Sequence, residues 1–241
     1  GEWWGFSMMD ANSVGRLLAL SPITWQDGWP YFGLPGNLKR TPRTWVKPKT
    51  AAPQQVRVPF ERSDDFSGST LKPIWQWNHV PVDGKWSLAE RPGYLRLHTL
   101  PATSFWDARN TLTQRAIGPQ STPTVALDLA GLQPGDVAGL GLLNLPYAAL
   151  GVERTQDGLR LALVDRARGS TVHVPLDLPA DDRRLWLRAD CDFLTEQARF
   201  SYSLDGRHFT PVGEPFTMVY QTVTFQGVRY SLFGYNTTGR E

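Results

Sequence analysis

The chain is predicted to be all-β, its larger part an antiparallel two-sheet sandwich. Three observations carry this. About a dozen short strand-like runs recur with turn residues between them. Two hairpins are nearly spelled out: Gln156-Asp157-Gly158 joins Leu150–Arg154 to Leu159–Val164, and Leu204-Asp205-Gly206 joins Arg199–Ser203 to His208–Val212. No stretch shows the apolar spacing of an amphipathic helix, and no unit repeats at a fixed period. Composition agrees, because 41% hydrophobic and 12% aromatic residues are ample for a core and argue against disorder.

In chain order, Glu2–Met9 is an aromatic and apolar run, Asp10-Ala11-Asn12-Ser13 supplies turn chemistry, and Val14–Leu20 alternates again. These read as a hairpin, and a lone hairpin is marginal in water, so it is expected to pack on something else. The chain starts inside a strand pattern without an initiator Met, so this first section reads as the tail end of a larger β domain, cut at its N-terminus. Trp25–Pro48 is broken by prolines and glycines yet carries Trp25, Trp29, Tyr31, Phe32 and Trp45. So much aromatic surface predicts a joint pinned between two bodies.

A linker follows, and then the strands of the sandwich: Arg57–Phe60, Trp75–Val80, Tyr94–His98, Leu112–Ile117, Thr124–Leu129, Val137–Leu143, Ala148–Glu153, Leu159–Val164, Thr171–Pro175, Leu185–Ala189, Ala198–Leu204 and Val228–Tyr235. The last strand runs into Asn236-Thr237-Thr238-Gly239 and stops in what should be a turn, so the C-terminus reads as cut too. The predicted organisation is 1–48 for the first piece and joint, 49–56 for the linker and 57–241 for the sandwich.

Several function classes are disfavoured. Net charge is only +2, and 20 of the 25 basic residues are Arg, scattered and alternating with apolar residues as in Leu185-Trp186-Leu187-Arg188. That is the solvated face of strands and not a phosphate-binding stripe, so no nucleic-acid partner is expected. The single Cys191 excludes an internal disulfide and a cysteine zinc site. No run approaches the roughly 18 apolar residues of a membrane-spanning helix, so no membrane partner is expected either. Nothing assigns a compartment.

Nucleophile elbows, phosphate loops and paired metal-ligand motifs are absent. The histidines, at 79, 98, 173 and 208, are widely spaced, and His98 and His173 lie in alternating strands as surface or core fillers. Asp64-Asp65 has two readings: a turn before Phe66, or oxygen ligands of a structural calcium. In Trp75-Gln76-Trp77-Asn78-His79, strand alternation puts Trp75, Trp77 and His79 on one face and Gln76 and Asn78 on the other. Indole plates beside amide and imidazole groups suit a sugar pocket; the competing reading is a tryptophan pair buried between sheets.

Longer motifs carry a resemblance. Glu2-Trp3-Trp4-Gly5-Phe6-Ser7-Met8-Met9, Ser13-Val14-Gly15-Arg16, Leu20-Ser21-Pro22, Asp27-Gly28-Trp29-Pro30, Gly33-Leu34-Pro35-Gly36-Asn37 and Arg43-Thr44-Trp45-Val46-Lys47-Pro48 resemble the end of a glycoside hydrolase family 43 propeller. Asp64-Asp65-Phe66, Trp75-Gln76-Trp77-Asn78-His79, Arg91-Pro92-Gly93-Tyr94-Leu95-Arg96-Leu97 and Phe233-Gly234-Tyr235-Asn236-Thr237 resemble the C-terminal concanavalin A-like β-sandwich of its β-xylosidase and α-L-arabinofuranosidase members. The resemblance implies an incomplete last piece of a five-bladed β-propeller followed by that jelly-roll sandwich.

It also implies inverting cleavage of xylosyl or arabinofuranosyl ends of xylo-oligosaccharides and arabinoxylan, with no cofactor required for the chemistry. In the family, the Asp base, Glu acid and supporting Asp come from blades preceding Gly1, so no catalytic residue is expected in this chain and it should be inactive alone. Arg16 matches the arginine that points into the family's active site, where a fixed charge would hold a carboxylate ionised and donate to a sugar hydroxyl. Trp75, Trp77, Asn78 and His79 are the expected substrate-binding residues, with Trp77, Asn78 and His79 forming the sandwich's contribution to the pocket rim. The partners implied are xylan-type oligosaccharides, the missing blades and, as an open alternative, a second copy of the chain. Two other roles stay open for the sandwich: a xylan-binding module using Trp86, Trp106 and Tyr147, or a purely structural cap that mediates oligomers.

Overall fold

A computed structural model describes residues 2–9, 12–46, 48, 61–178 and 183–240. The predicted strand Arg57–Phe60, most of the linker and the first two turn residues, Asp10 and Ala11, lie outside them. The described residues contain strands and no helix. They divide into two compact units: Gly1–Ala11 with Arg16–Glu61, and Asn12–Gly15 with Arg62–Glu241. The four residues Asn12–Gly15 thus belong to the second unit.

The first unit is built on β1 (Trp4–Met9) and β2 (Leu17–Pro22), antiparallel from Trp4 opposite Pro22 to Met9 opposite Leu17. Among the described residues neither strand has a second neighbour. Phe6, Met8, Leu18 and Leu20 share one face and stand in solvent, Phe6 at 72% and Leu18 at 74% exposure. Trp3 is exposed as well, whereas Trp4 is half-buried. Within the joint, β3 (Thr24–Gln26) and β4 (Trp29–Tyr31) form a hairpin that the sequence reading missed. Its turn is Asp27-Gly28, both at positive φ (50° and 80°), the geometry that Asp-Gly favours. Trp25, Trp29, Tyr31, Phe32 and Trp45 are exposed, yet Trp25 packs edge-on against Trp3 at 5.6 Å, and a Cβ on Gly5 would lie 2.4 Å from the Phe32 ring.

The second unit is the expected sandwich. The smaller sheet runs β10 (Gln120–Ser121) and β11 (Thr124–Asp128), both on β16 (Arg184–Asp192), then β17 (Gln197–Ser203) and β18 (Thr210–Thr217). The larger sheet has the order β15 (Ser170–Leu176), β14 (Leu159–Asp165), β13 (Ala148–Arg154), β12 (Asp136–Leu143), β19 (Arg229–Asn236), β9 (Leu112–Arg115) and β5 (Gln76–Trp77). β8 (Leu100–Pro101) runs parallel to the end of β19, and β6 (Trp86–Ser87) pairs β7 (Arg96–Leu97) separately. Long central strands match their predicted spans closely, but Trp75–Val80 shrinks to two paired residues, because only β9 offers it a ladder.

Alternation sorts each strand's residues between two cores. Leu140 and Leu142 of β12, Leu150 and Val152 of β13, and Leu161 and Leu163 of β14 face Leu185, Leu187, Phe200 and Phe216 across the sandwich. Removing one such fully buried leucine costs about 2–5 kcal/mol. The intervening residues point outward to a second cluster in which Phe105 packs edge-on against Tyr147 (5.1 Å) and Phe233 (4.8 Å). Phe105 also explains a mid-strand glycine: a Cβ on Gly141 would lie 2.6 Å from its ring.

Candidate functional site

The Trp75–His79 stretch begins as a packing device. Trp75 stacks on Phe66 at 5.5 Å, and its indole N–H donates to Asp64 Oδ2 at 2.7 Å. Asp64 Oδ1 accepts the Phe66 amide (3.0 Å) and pairs with Lys72 at 3.2 Å. Asp65 Oδ1 accepts from Ser67 N and Oγ, and these bonds hold its pKa below the ordinary value. Both oxygens of Asp64 and Oδ1 of Asp65 are thus engaged by neighbouring residues. Among the described residues no group of three or more His, Cys, Asp or Glu is arranged to hold a metal. Trp77 packs on Trp86 at 5.1 Å. The Asn78 amide donates to Thr111 O at 3.0 Å, extending the β5 ladder, and His79 Nε2 lies 3.4 Å from Trp106 O.

Gln76, on the opposite face, has a partner of its own. Arg229 donates through Nη2 to Gln76 Oε1 (2.5 Å) and through Nε to Thr113 Oγ1 (2.8 Å). Burial, and then the charges of Arg115 and Arg62, lower the Arg229 pKa. None of Trp86, Trp106 and Tyr147 is exposed. Trp86 faces Trp77, while Trp106 lies parallel to a buried Tyr147 at 6.3 Å.

Asn78 pairs near Thr111, at one end of β9; Ala116–Gly118 follow its other end. It is at that other end that Asn12–Gly15 are seated. Val14 packs into the inter-sheet core, and a Cβ on Gly118 would lie 3.1 Å from Val14 Cγ2. The structure thus does not bring Asn78 and His79 to the turn that precedes Arg16.

Two further features were not found from sequence. One is a cleft of about 1010 Å³ that enters the sandwich between the sheets. Its floor is apolar (Leu140, Leu232, Leu127) and its rim is charged. There Arg91 pairs with Asp128 and lies 3.8 Å above the Tyr94 ring, whose hydroxyl accepts from Arg184 at 3.1 Å.

The other is the loop from Val219 to Gly227. Asn144, 1% exposed, ties it down: Nδ2 donates to Val219 O (3.1 Å) and Gln226 O (3.4 Å), and Oδ1 accepts from Thr224 Oγ1 at 2.6 Å. The loop then holds apolar side chains in solvent, Val223 at 81% and Phe225 at 67% exposure, with Phe225 at φ 56°. Two apolar tips in a polar loop before a buried strand were the available signal. The loop ends against the seated turn, where Val228 N donates to Ser13 O at 2.7 Å.

Residues 63–241 match the model of the β-xylosidase C-terminal concanavalin A-like domain family. The chain belongs to that family. A β-xylosidase of Formosa agariphila is 32% identical over 264 aligned residues, covering 98% of this chain and 43% of that protein. A non-reducing end α-L-arabinofuranosidase of Bacteroides ovatus is 35% identical over 104 residues, 40% of this chain and 19% of that protein. Among solved structures, a bifunctional protein of Bacteroides eggerthii described as GH43-CE superposes with a TM-score of 0.86 at 36% identity, covering 99% of this chain and 31% of that one. The chain is therefore similar to the C-terminal part of family 43 β-xylosidases and arabinofuranosidases, and it spans less than half the length of the curated relatives it matches.

Proposed function

We propose that the chain is the C-terminal part of a glycosidase that removes xylosyl or arabinofuranosyl ends from xylo-oligosaccharides and arabinoxylan by inversion. What carries this reading is the family match across residues 63–241 together with relatives named for those two activities. Inversion sets a carboxylic acid and a carboxylate about 6.5–9.5 Å apart with a water between. On this reading both stand on propeller blades outside the chain, and Arg16 projects among them as a fixed cation. The sandwich then shapes the rim and stabilises the blades. The burial of Tyr147 and the ring-on-ring packing of Trp77, Trp86 and Trp106 favour the cap role over a free-standing xylan-binding module.

The test pairs an aryl-xyloside and aryl-arabinofuranoside assay with xylotetraose calorimetry on the 241-residue chain and on the complete enzyme. Turnover by the complete enzyme only, with no heat of binding for the chain, is expected. Turnover by the chain alone would refute the placement of the carboxylates.

A further inference from the structure

We infer that Glu196 is a positioning residue: with the Phe193 carbonyl and the Val228 amide, it latches the turn Asn12–Gly15 onto the sandwich and so fixes the backbone that leads into Arg16. The inference rests on the reading of Arg16 given above.

The latch joins residues 183 positions apart. Both carboxylate oxygens of Glu196 accept the Ser13 amide, at 3.2 and 3.1 Å. Asn12 Nδ2 donates to Phe193 O, and the Ser13 carbonyl accepts Val228 N at 2.7 Å. The turn is also closed internally, by Val14 N on Asn12 Oδ1 (3.1 Å) and Gly15 N on Asn12 O (2.9 Å). Ser13 is fully buried, so its amide has no access to solvent as an alternative acceptor.

Two glycines permit the approach. A Cβ on Gly227 would lie 2.0 Å from Val14 O, and one on Gly15, at φ 105°, would lie 2.8 Å from Gly227 N. Glu196 itself is held at φ 58°, a left-handed conformation uncommon for a side-chain-bearing residue, while its carbonyl accepts Met218 N at 2.8 Å.

The test has two arms. In the 241-residue chain, amide hydrogen exchange is compared between wild type, Glu196→Gln and Glu196→Ala. Alanine is expected to speed exchange of the Ser13 and Val228 amides about tenfold and glutamine less, with β13 and β14 unchanged. In the complete enzyme, Glu196→Ala is expected to lower kcat/KM about tenfold while the melting temperature falls by only a few degrees, with Glu196→Gln recovering part of both. Wild-type exchange at Ser13, or unchanged kcat/KM where Arg16→Ala abolishes activity, would overturn the latch. An inert Arg16→Ala would instead overturn the reading of Arg16, and the exchange arm would still judge the latch.

Discussion

Replacing Asn144 by Ala should cost the sandwich about 2–3 kcal/mol. The side chain makes three bonds to the Val219–Gly227 loop, at 2.6, 3.1 and 3.4 Å. A net hydrogen bond contributes about 1 kcal/mol, and the 3.4 Å bond less than the others. The two carbonyls released from Asn144 can turn partly to water, which keeps the sum below the full desolvation cost of buried groups. For a unit of this size such a loss lowers the melting temperature by about 4–12 °C. Asn144→Asp should be worse, because it removes both donated bonds and sets a carboxylate oxygen against Val219 O and Gln226 O.

Thermal unfolding by circular dichroism reads the global term. Exchange of the Phe225 and Val228 amides, bonded to Gln221 O and Ser13 O, reads the loop itself. A drop below about 2 °C with unchanged exchange at both amides would show that Asn144 does not hold the loop.

The turn Asp205–His208 should respond to pH through one pair: His208 Nδ1 lies 2.6 Å from Asp205 Oδ2, which raises the His208 pKa above 6.5 and lowers that of Asp205 below 3.8. The histidine's contribution is complete below 6.5 and is lost as pH rises through its folded value; the aspartate's is complete above 3.8 and is lost on acidification through its depressed one. An NMR titration should place the His208 midpoint above 6.5, and Asp205→Asn should return it toward 6.5. Cys191 is 4% exposed in the inter-sheet core, and burial, then the Asp190 charge, push its thiol up to about 12. A disulfide reagent at pH 8 should therefore label it only in denaturant, and rapid native labelling would contradict the core placement. Chelation should leave the melting temperature of the chain unchanged, since Asp64 and Asp65 are engaged by Trp75, Lys72 and Ser67; a stabilisation by calcium that Asp64→Asn abolishes would restore the calcium reading.

What the sequence determined by itself is local. Alternation in Val137–Leu143 and Leu159–Val164, and the Asp-Gly turns at 157–158 and 205–206, specify strands and hairpins through neighbours only a few residues away; the structure keeps the first hairpin as read and the second with its outer strand moved to Thr210–Thr217 and a register shift between Ala198 and Phe200. Even the missed β3–β4 hairpin carried a local Asp27-Gly28 signal, obscured by the prolines around it.

The meaning of an aromatic or a carboxylate was not legible in this way. Trp75 and Trp77 read equally well as sugar plates or as packing, and the choice depends on Phe66 and Trp86 lying within about 6 Å of them. Glu196 looks like any turn glutamate until the fold brings Ser13 to it. Short-range patterns encode where the chain bends and which face is apolar. Contacts between residues nearly two hundred positions apart exist only once both sheets have closed on a shared core, and they decide which polar groups are left to act.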